Sequence, residues 1–183
     1  IENMNAEDFL FVSGSHPEGI TYTTYEKIAK TAQLRGFKLI LDTSADFVPD
    51  LLKYRPYLIK PNDEELAEWF GLINPSLEEI KDCGQKLLEK GAENVLVSLG
   101  EKGAILFTPT ETIHVTAPKG EVVNTACAGD TLLATFVGSQ LLGLSDEQAL
   151  IKAVAAGSST AFRPGLTDFS DVPTLMQQIK RIL

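Results

Sequence analysis

The chain has 183 residues, 44% of them hydrophobic, and no apolar run long enough to span a bilayer, which fits a globular fold with a sizeable core. A net charge of −9 argues against nucleic acid as a partner, because binding a phosphate backbone draws on clustered Lys and Arg; a small phosphorylated ligand can still be held by backbone N–H groups. Two cysteines, Cys83 and Cys127, are too few for a disulfide framework and stand apart from any His cluster that would make a zinc site, so a reducing cytoplasm is the expected setting.

Residues 8–13 read as a short apolar strand that ends at Ser13 and Gly14. Thr23 with Glu26 offers a capping box for a helix that glycine can end at Gly36. Residues 37–42 form the next strand, 47–54 a helical patch and 57–59 a brief third strand. Lys60-Pro61-Asn62 then turns the chain, Asn62 caps a helix over 63–70, and Ser76 with Glu79 caps another that ends near Gly91. Residues 93–99 are a mostly apolar strand of the kind buried on both faces. Beyond the glycines of the turn at 98–103, short strands at 104–108 and 112–116 predict an antiparallel edge. The rest reads as helix: 129–142, 146–161 capped by Ser145, and 172–183 after Ser170 or Asp171. This alternation predicts a mostly parallel sheet with helices on both faces, in a single domain over residues 1–183.

The stretch Val123-Asn124-Thr125-Ala126-Cys127-Ala128-Gly129-Asp130-Thr131 delivers a carboxylate onto the start of an apolar helix. Unpaired N–H groups and the positive dipole end of a helix favour an anion, and small residues let it approach the backbone. Asp130 could then take a proton from a substrate hydroxyl while the N–H groups of Ala128, Gly129 and Asp130 hold a phosphoryl group. An Asp in this place is equally an ordinary helix cap. There is no Gly-x-x-x-x-Gly-Lys-Ser/Thr run, so a Walker-type phosphate loop is excluded.

Five segments recur in a telling order: Val12-Ser13-Gly14-Ser15-His16-Pro17-Glu18-Gly19, Lys60-Pro61-Asn62 with Glu65, Ser98-Leu99-Gly100 with Gly103, Asn124-Thr125 through Asp130, and Ala155-Ala156-Gly157-Ser158. Together they resemble the C-terminal portion of the PfkB (ribokinase-like) carbohydrate kinases, in the 1-phosphofructokinase and tagatose-6-phosphate kinase branch. The resemblance implies a three-layer αβα ribokinase-like fold without its N-terminal part and lid, acting as one nucleotide-binding kinase domain. It implies ATP and Mg²⁺ as cofactors, and transfer of the ATP γ-phosphoryl group to a ketohexose phosphate, first of all fructose 1-phosphate to fructose 1,6-bisphosphate. Tagatose-6-phosphate kinase and a non-catalytic nucleotide- or phosphosugar-binding module are the alternatives.

The same resemblance gives the residues their roles. Asp130 is the general base, with Cys127, Ala128 and Gly129 lining the anion site through their N–H groups. Ser98, Gly100, Lys102, Gly103 and Gly157 face the nucleotide, Ser13 and Gly14 lie near the sugar, and Asn62 with Glu65 supports Mg²⁺ through its waters. Self-association as a homodimer would run through the lid. Plain readings stand beside these: an Asn62 cap with an ordinary first-turn carboxylate, a strand turn at 98–103, a solvated Lys102, and close helix packing at Gly157 with Ala153 and Ala156. His16 suggests no role, His114 reads as structural, and Arg163 as a phosphate contact or a surface residue. The family's acidic loop usually reads Gly-Ala-Gly-Asp, and here Cys127 stands in the first place. If that position needs φ above zero the change carries strain; if not, the Cys127 N–H still serves.

Overall fold

The computed structural model describes residues 1–15 and 19–183, so the part of the first landmark formed by His16, Pro17 and Glu18 lies outside the described residues. Six strands make one sheet in chain order: β1 (Phe9–Ser13), β2 (Lys38–Asp42), β3 (Leu58–Ile59), β4 (Val95–Ser98), β5 (Ala104–Phe107) and β6 (Thr112–Val115). The first four are parallel, with Ser13 opposite Asp42, Leu41 opposite Ile59 and Ile59 opposite Val95. The remaining strands supply the antiparallel edge, turned at Thr108, whose N–H donates to the Glu111 carbonyl. The chain divides into two compact units, residues 1–97 with 107–111 and residues 98–106 with 112–183.

In the first unit the inner strands β2, β3 and β4 bury most of their side chains, Ile40, Leu58, Ile59, Val95, Leu96 and Val97 being fully enclosed, as expected of strands covered on both faces, whereas the edge strand β1 leaves Phe11 42% exposed. Helices α1 (Tyr22–Arg35), α2 (Val48–Leu51), α3 (Asp63–Phe70) and α4 (Leu77–Glu89) connect them. Asn62 and Ser76 close the capping boxes expected of α3 and α4. The box expected from Thr23 and Glu26 does not form: α1 starts two residues earlier, Thr21 makes no side-chain cap bond, and Glu26 accepts instead from Tyr22, Tyr54 and Lys53. Tertiary partners outbid the local cap. In α4, Gly84 is required by packing, since a Cβ there would lie 2.8 Å from Cδ2 of the Phe107 ring.

The second unit is built on α5 (Ala128–Leu141) and α6 (Asp146–Ala161), with α7 (Val172–Met176) and the strand β6. Ser145 and Gln148 close the expected capping box of α6. The C-terminal segment differs from its sequence-based expectation. The helix over 172–183 stops at Met176, and the chain then extends beside β6, where Thr116 N–H donates to Lys180 O and Ile182 N–H to His114 O. Val115 and Arg181 form an antiparallel bridge there. The sheet edge offers these residues a ladder of unpaired backbone groups, a stronger demand than a helical pattern five residues long can resist.

Candidate active site

The C-terminal ends of parallel strands are where open α/β sheets place ligand-binding groups, and the first unit puts its polar residues there. Ser13 and Gly14 end β1 and are exposed; Gly14 has φ 85° and open space where a Cβ would be, and its N–H donates to the Asp42 carbonyl at 2.8 Å. At the end of β2, Asp42 pairs with Lys60 at the end of β3 (2.9 Å), and both side chains are almost wholly buried. Thr43 follows, 6% exposed, its hydroxyl without a partner among the described residues. Sequence reasoning passed over Asp42 and Thr43. The signal available was a polar pair directly after two neighbouring apolar strands.

Asn62 and Glu65 come together as the plain reading has them, in a capping box: Glu65 N–H donates to Asn62 Oδ1 (2.7 Å) and Asn62 N–H to Glu65 Oε2 (2.9 Å). The box spends one oxygen of each. The second oxygen of Glu65 and the amide NH₂ of Asn62 have no partner among the described residues.

In the second unit the turn expected over the nucleotide is a tight one, with Leu99 N–H donating to Gly103 O (2.8 Å) and Lys102 N–H to Leu99 O (3.1 Å). Its two glycines have different reasons. Gly100 (φ 56°) is exposed and opens onto free space. Gly103 (φ 95°) is buried, and any Cβ would collide with the Val115 carbonyl and lie 2.9 Å from Ala117 N. Gly103 therefore serves the chain's own backbone. Lys102 is exposed, as is Ser15 in the first unit, while Ser98 is half-buried.

Helix α5 begins unusually. Its N-cap, Cys127, has φ 61° and ψ 5° and makes no side-chain cap bond. The position does require positive φ, so the strain foreseen for a residue other than Gly is present, about 1–2 kcal/mol for a side chain in the left-handed region. The loop before it is tied to the end of α6, where Val123 and Asn124 N–H groups both donate to Ala161 O (2.8 and 3.1 Å). Ala128 N–H is taken by Thr125 O (3.1 Å), which removes it from the expected anion site. Among the described residues, the N–H groups of Gly129 and Asp130 have no partner, and the Asp130 side chain is exposed beside them. Gly157 is buried against this first turn: a Cβ on it would sit 3.0 Å from Ala128 O and 3.1 Å from Leu132 Cβ. Close helix packing thus accounts for Gly157. Arg163 is engaged at both terminal nitrogens, by Asp168 (2.7 Å) and Asp171 (2.8 Å), as a surface ion-pair residue would be.

The pfkB family carbohydrate kinase profile matches residues 1–174. The chain belongs to the pfkB family. It is 50% identical to D-tagatose-1-phosphate kinase of Bacillus licheniformis, over 94% of this chain and 57% of that protein. It is 36% identical to 1-phosphofructokinase of Bacillus subtilis, over 98% of this chain and 59% of that one. Phosphofructokinase-2 of Escherichia coli, solved with substrates and products, superposes with a TM-score of 0.87 at 25% identity, over 95% of this chain and 58% of that one. The chain thus spans somewhat under three fifths of the length of these pfkB relatives. Its fold is the ribokinase-like one, a mostly parallel sheet with an antiparallel edge. Among the described residues no helix is long and apolar enough to cross a membrane.

Proposed function

We propose that this pfkB chain belongs to a cytoplasmic kinase that transfers the γ-phosphoryl group of ATP to a free hydroxyl of a ketohexose 1-phosphate, fructose 1-phosphate or tagatose 1-phosphate. The observation that carries the reading is the start of α5, where the unpaired N–H groups of Gly129 and Asp130 lie beside the exposed Asp130 carboxylate. The names of the two relatives, one a 1-phosphofructokinase and one a D-tagatose-1-phosphate kinase, support the substrate class.

In this mechanism Asp130 accepts the proton of the attacking hydroxyl, the sugar oxygen bonds to the γ-phosphorus, and the bond from that phosphorus to the bridging oxygen breaks, releasing ADP. The Gly129 and Asp130 N–H groups, at the positive end of α5, take charge from the phosphoryl oxygens in flight. In the second unit Gly100 leaves open backbone for the nucleotide; in the first, taken by itself, Ser13 and Gly14 form an exposed strand end open to a polar ligand. A fitting metal is Mg²⁺, because one free carboxylate oxygen on Glu65 beside the Asn62 amide is too sparse for an all-protein cage and suits a cation that keeps its waters and neutralises phosphate charge. Homodimer formation belongs to the same proposal and is read from sedimentation.

The test is ADP release in a coupled assay with fructose 1-phosphate, tagatose 1-phosphate and tagatose 6-phosphate, set beside calorimetric titration with MgATP. Turnover with a 1-phosphate is the expected result. MgATP binding without turnover on any of the three would replace the kinase by a nucleotide-binding module.

A further inference from the structure

Helices α3, α4 and α6 each start on a closed capping box, whereas α5 starts on Cys127 in a left-handed conformation with no side-chain cap. An uncapped first turn frays unless something else holds it. The contacts of α6 supply the hold. Thr160, 1% exposed in the last turn of α6, donates its hydroxyl hydrogen to Thr131 Oγ1 in the first turn of α5 at 3.1 Å. Thr160 Oγ1 in turn accepts the Thr167 N–H (3.3 Å), which fixes the direction in which its own hydrogen points. One turn earlier on α6, Gly157 fits against Ala128 O and Leu132 Cβ.

Residues 128, 131 and 132 are spaced three and four apart and share one face of α5. Asp130 lies on another face and is exposed. The grip of α6 is therefore on the side of the helix away from the carboxylate, and it sets rotation about the helix axis. A side chain about 5 Å from that axis moves by about 1 Å for a turn of ~10°, and a misplacement of that size can cost about 100-fold in rate. The anchor is itself braced: Ser159, fully buried, bonds Thr167 Oγ1 (2.6 Å) and Asp171 Oδ1 (2.5 Å), and Asp171 is held by Arg163 (2.8 Å).

We infer that Thr160 is a positioning residue, whose hydroxyl replaces the missing cap of α5 by clasping Thr131 and so aims Asp130 and the free N–H groups beside it. The inference deepens the kinase reading, and rests on it only for its effect on rate. Two variants separate hydroxyl from volume: Thr160→Val removes the donor to Thr131 and the acceptor for Thr167 N–H at constant shape, and Thr160→Ser keeps both; Thr131→Val loses only the bond between the two threonines and shows which of the two matters.

Two readouts are taken on folded protein. The first is hydrogen exchange at the Thr131 amide, which donates to Cys127 O (2.9 Å) and is protected only while the first turn holds. The second is kcat against KM for MgATP. Thr160→Val is expected to speed Thr131 exchange at least tenfold and to lower kcat by about 10- to 100-fold with KM within about twofold, and Thr160→Ser to stay near wild type in both. If Thr160→Val fails to fold, Thr131→Val removes the same bond from the half-buried side and is read the same way. Wild-type exchange in the valine variant, or equal damage in the serine variant, overturns the clasp. If the unaltered protein shows no turnover, the kinase reading fails by itself, and Thr131 exchange decides the clasp alone.

Discussion

The first turns of α3 and α5 each carry a carboxylate in the helix's first three residues, and they solve the same problem in opposite ways. At α3, Asn62 and Glu65 satisfy each other's backbone N–H groups, which leaves the second Glu65 oxygen, the Asn62 amide NH₂ and the Asp63 and Glu64 N–H groups without a partner among the described residues. At α5, Cys127 caps nothing, and the Gly129 and Asp130 N–H groups stay open beside a free carboxylate. A closed box is a stability device that takes up the third N–H of the first turn, as at Glu65, where α5 leaves that of Asp130 open. An unfinished start forgoes its cap, and its donors stay available to an anion.

The sharpest way to break this contrast is Asp130→Asn. If the open turn is the catalytic one, loss of the carboxylate lowers turnover by about 10²–10⁴-fold while MgATP affinity in calorimetry changes little. Wild-type turnover would make Asp130 a plain first-turn residue like those of α3. Next in size is Asp42→Ala. It leaves the Lys60 ammonium, 7% exposed, without its carboxylate 2.9 Å away, and breaking a buried pair this way costs about 3–5 kcal/mol in chemical unfolding.

The two helix starts should answer opposite in sign to substitution of their capping residues. Asn62→Ala opens the box of α3 and is expected to cost about 1 kcal/mol, or ~2–4 °C in melting temperature for a chain of this size. Cys127→Gly relieves the left-handed strain at φ 61° and is expected to gain about 1 kcal/mol. A Cys127→Gly variant that melts no higher than the parent would mean that the thiol makes up for its backbone.

The three closed boxes show how far the chain could be read in advance. Asn62, Ser76 and Ser145 signal their helices because a cap is a local contract between residues three apart. The roles proposed for Ser98, Gly100 and Asp130 rest on the same kind of local signal, since each belongs to a short segment with its own spacing. What stayed hidden depends on partners far away in sequence. A packing reason for glycine at 103 and 157 emerges only when the Val115 carbonyl and the Ala128 carbonyl are seen filling their empty sides. The Asp42–Lys60 pair requires knowing that β2 and β3 are neighbours. The end of the chain misled most plainly, because a sheet edge decided its conformation after Met176.

Helix α1 adds a third kind of start, and a smaller effect that tests it. Its Glu26 leaves the local cap unmade and gathers the Tyr22 hydroxyl (2.7 Å), the Tyr54 hydroxyl (2.9 Å) and the Lys53 ammonium (3.1 Å). The hydrogen bond from Tyr22, then those from Tyr54 and Lys53, lower its pKa from 4.5 to about 2. In the unfolded chain the carboxyl takes its proton first, near its ordinary value. Whatever stability the cluster gives is therefore complete above about pH 4.5 and disappears as the pH falls towards 2. Glu26→Gln should flatten that part of the acid dependence measured by urea unfolding, and by only a small amount, because the cluster is solvent-exposed and screened. An unaltered slope between pH 4.5 and 2 would show that this carboxylate, unlike the closed boxes of α3 and α4, contributes nothing to holding its helix in place.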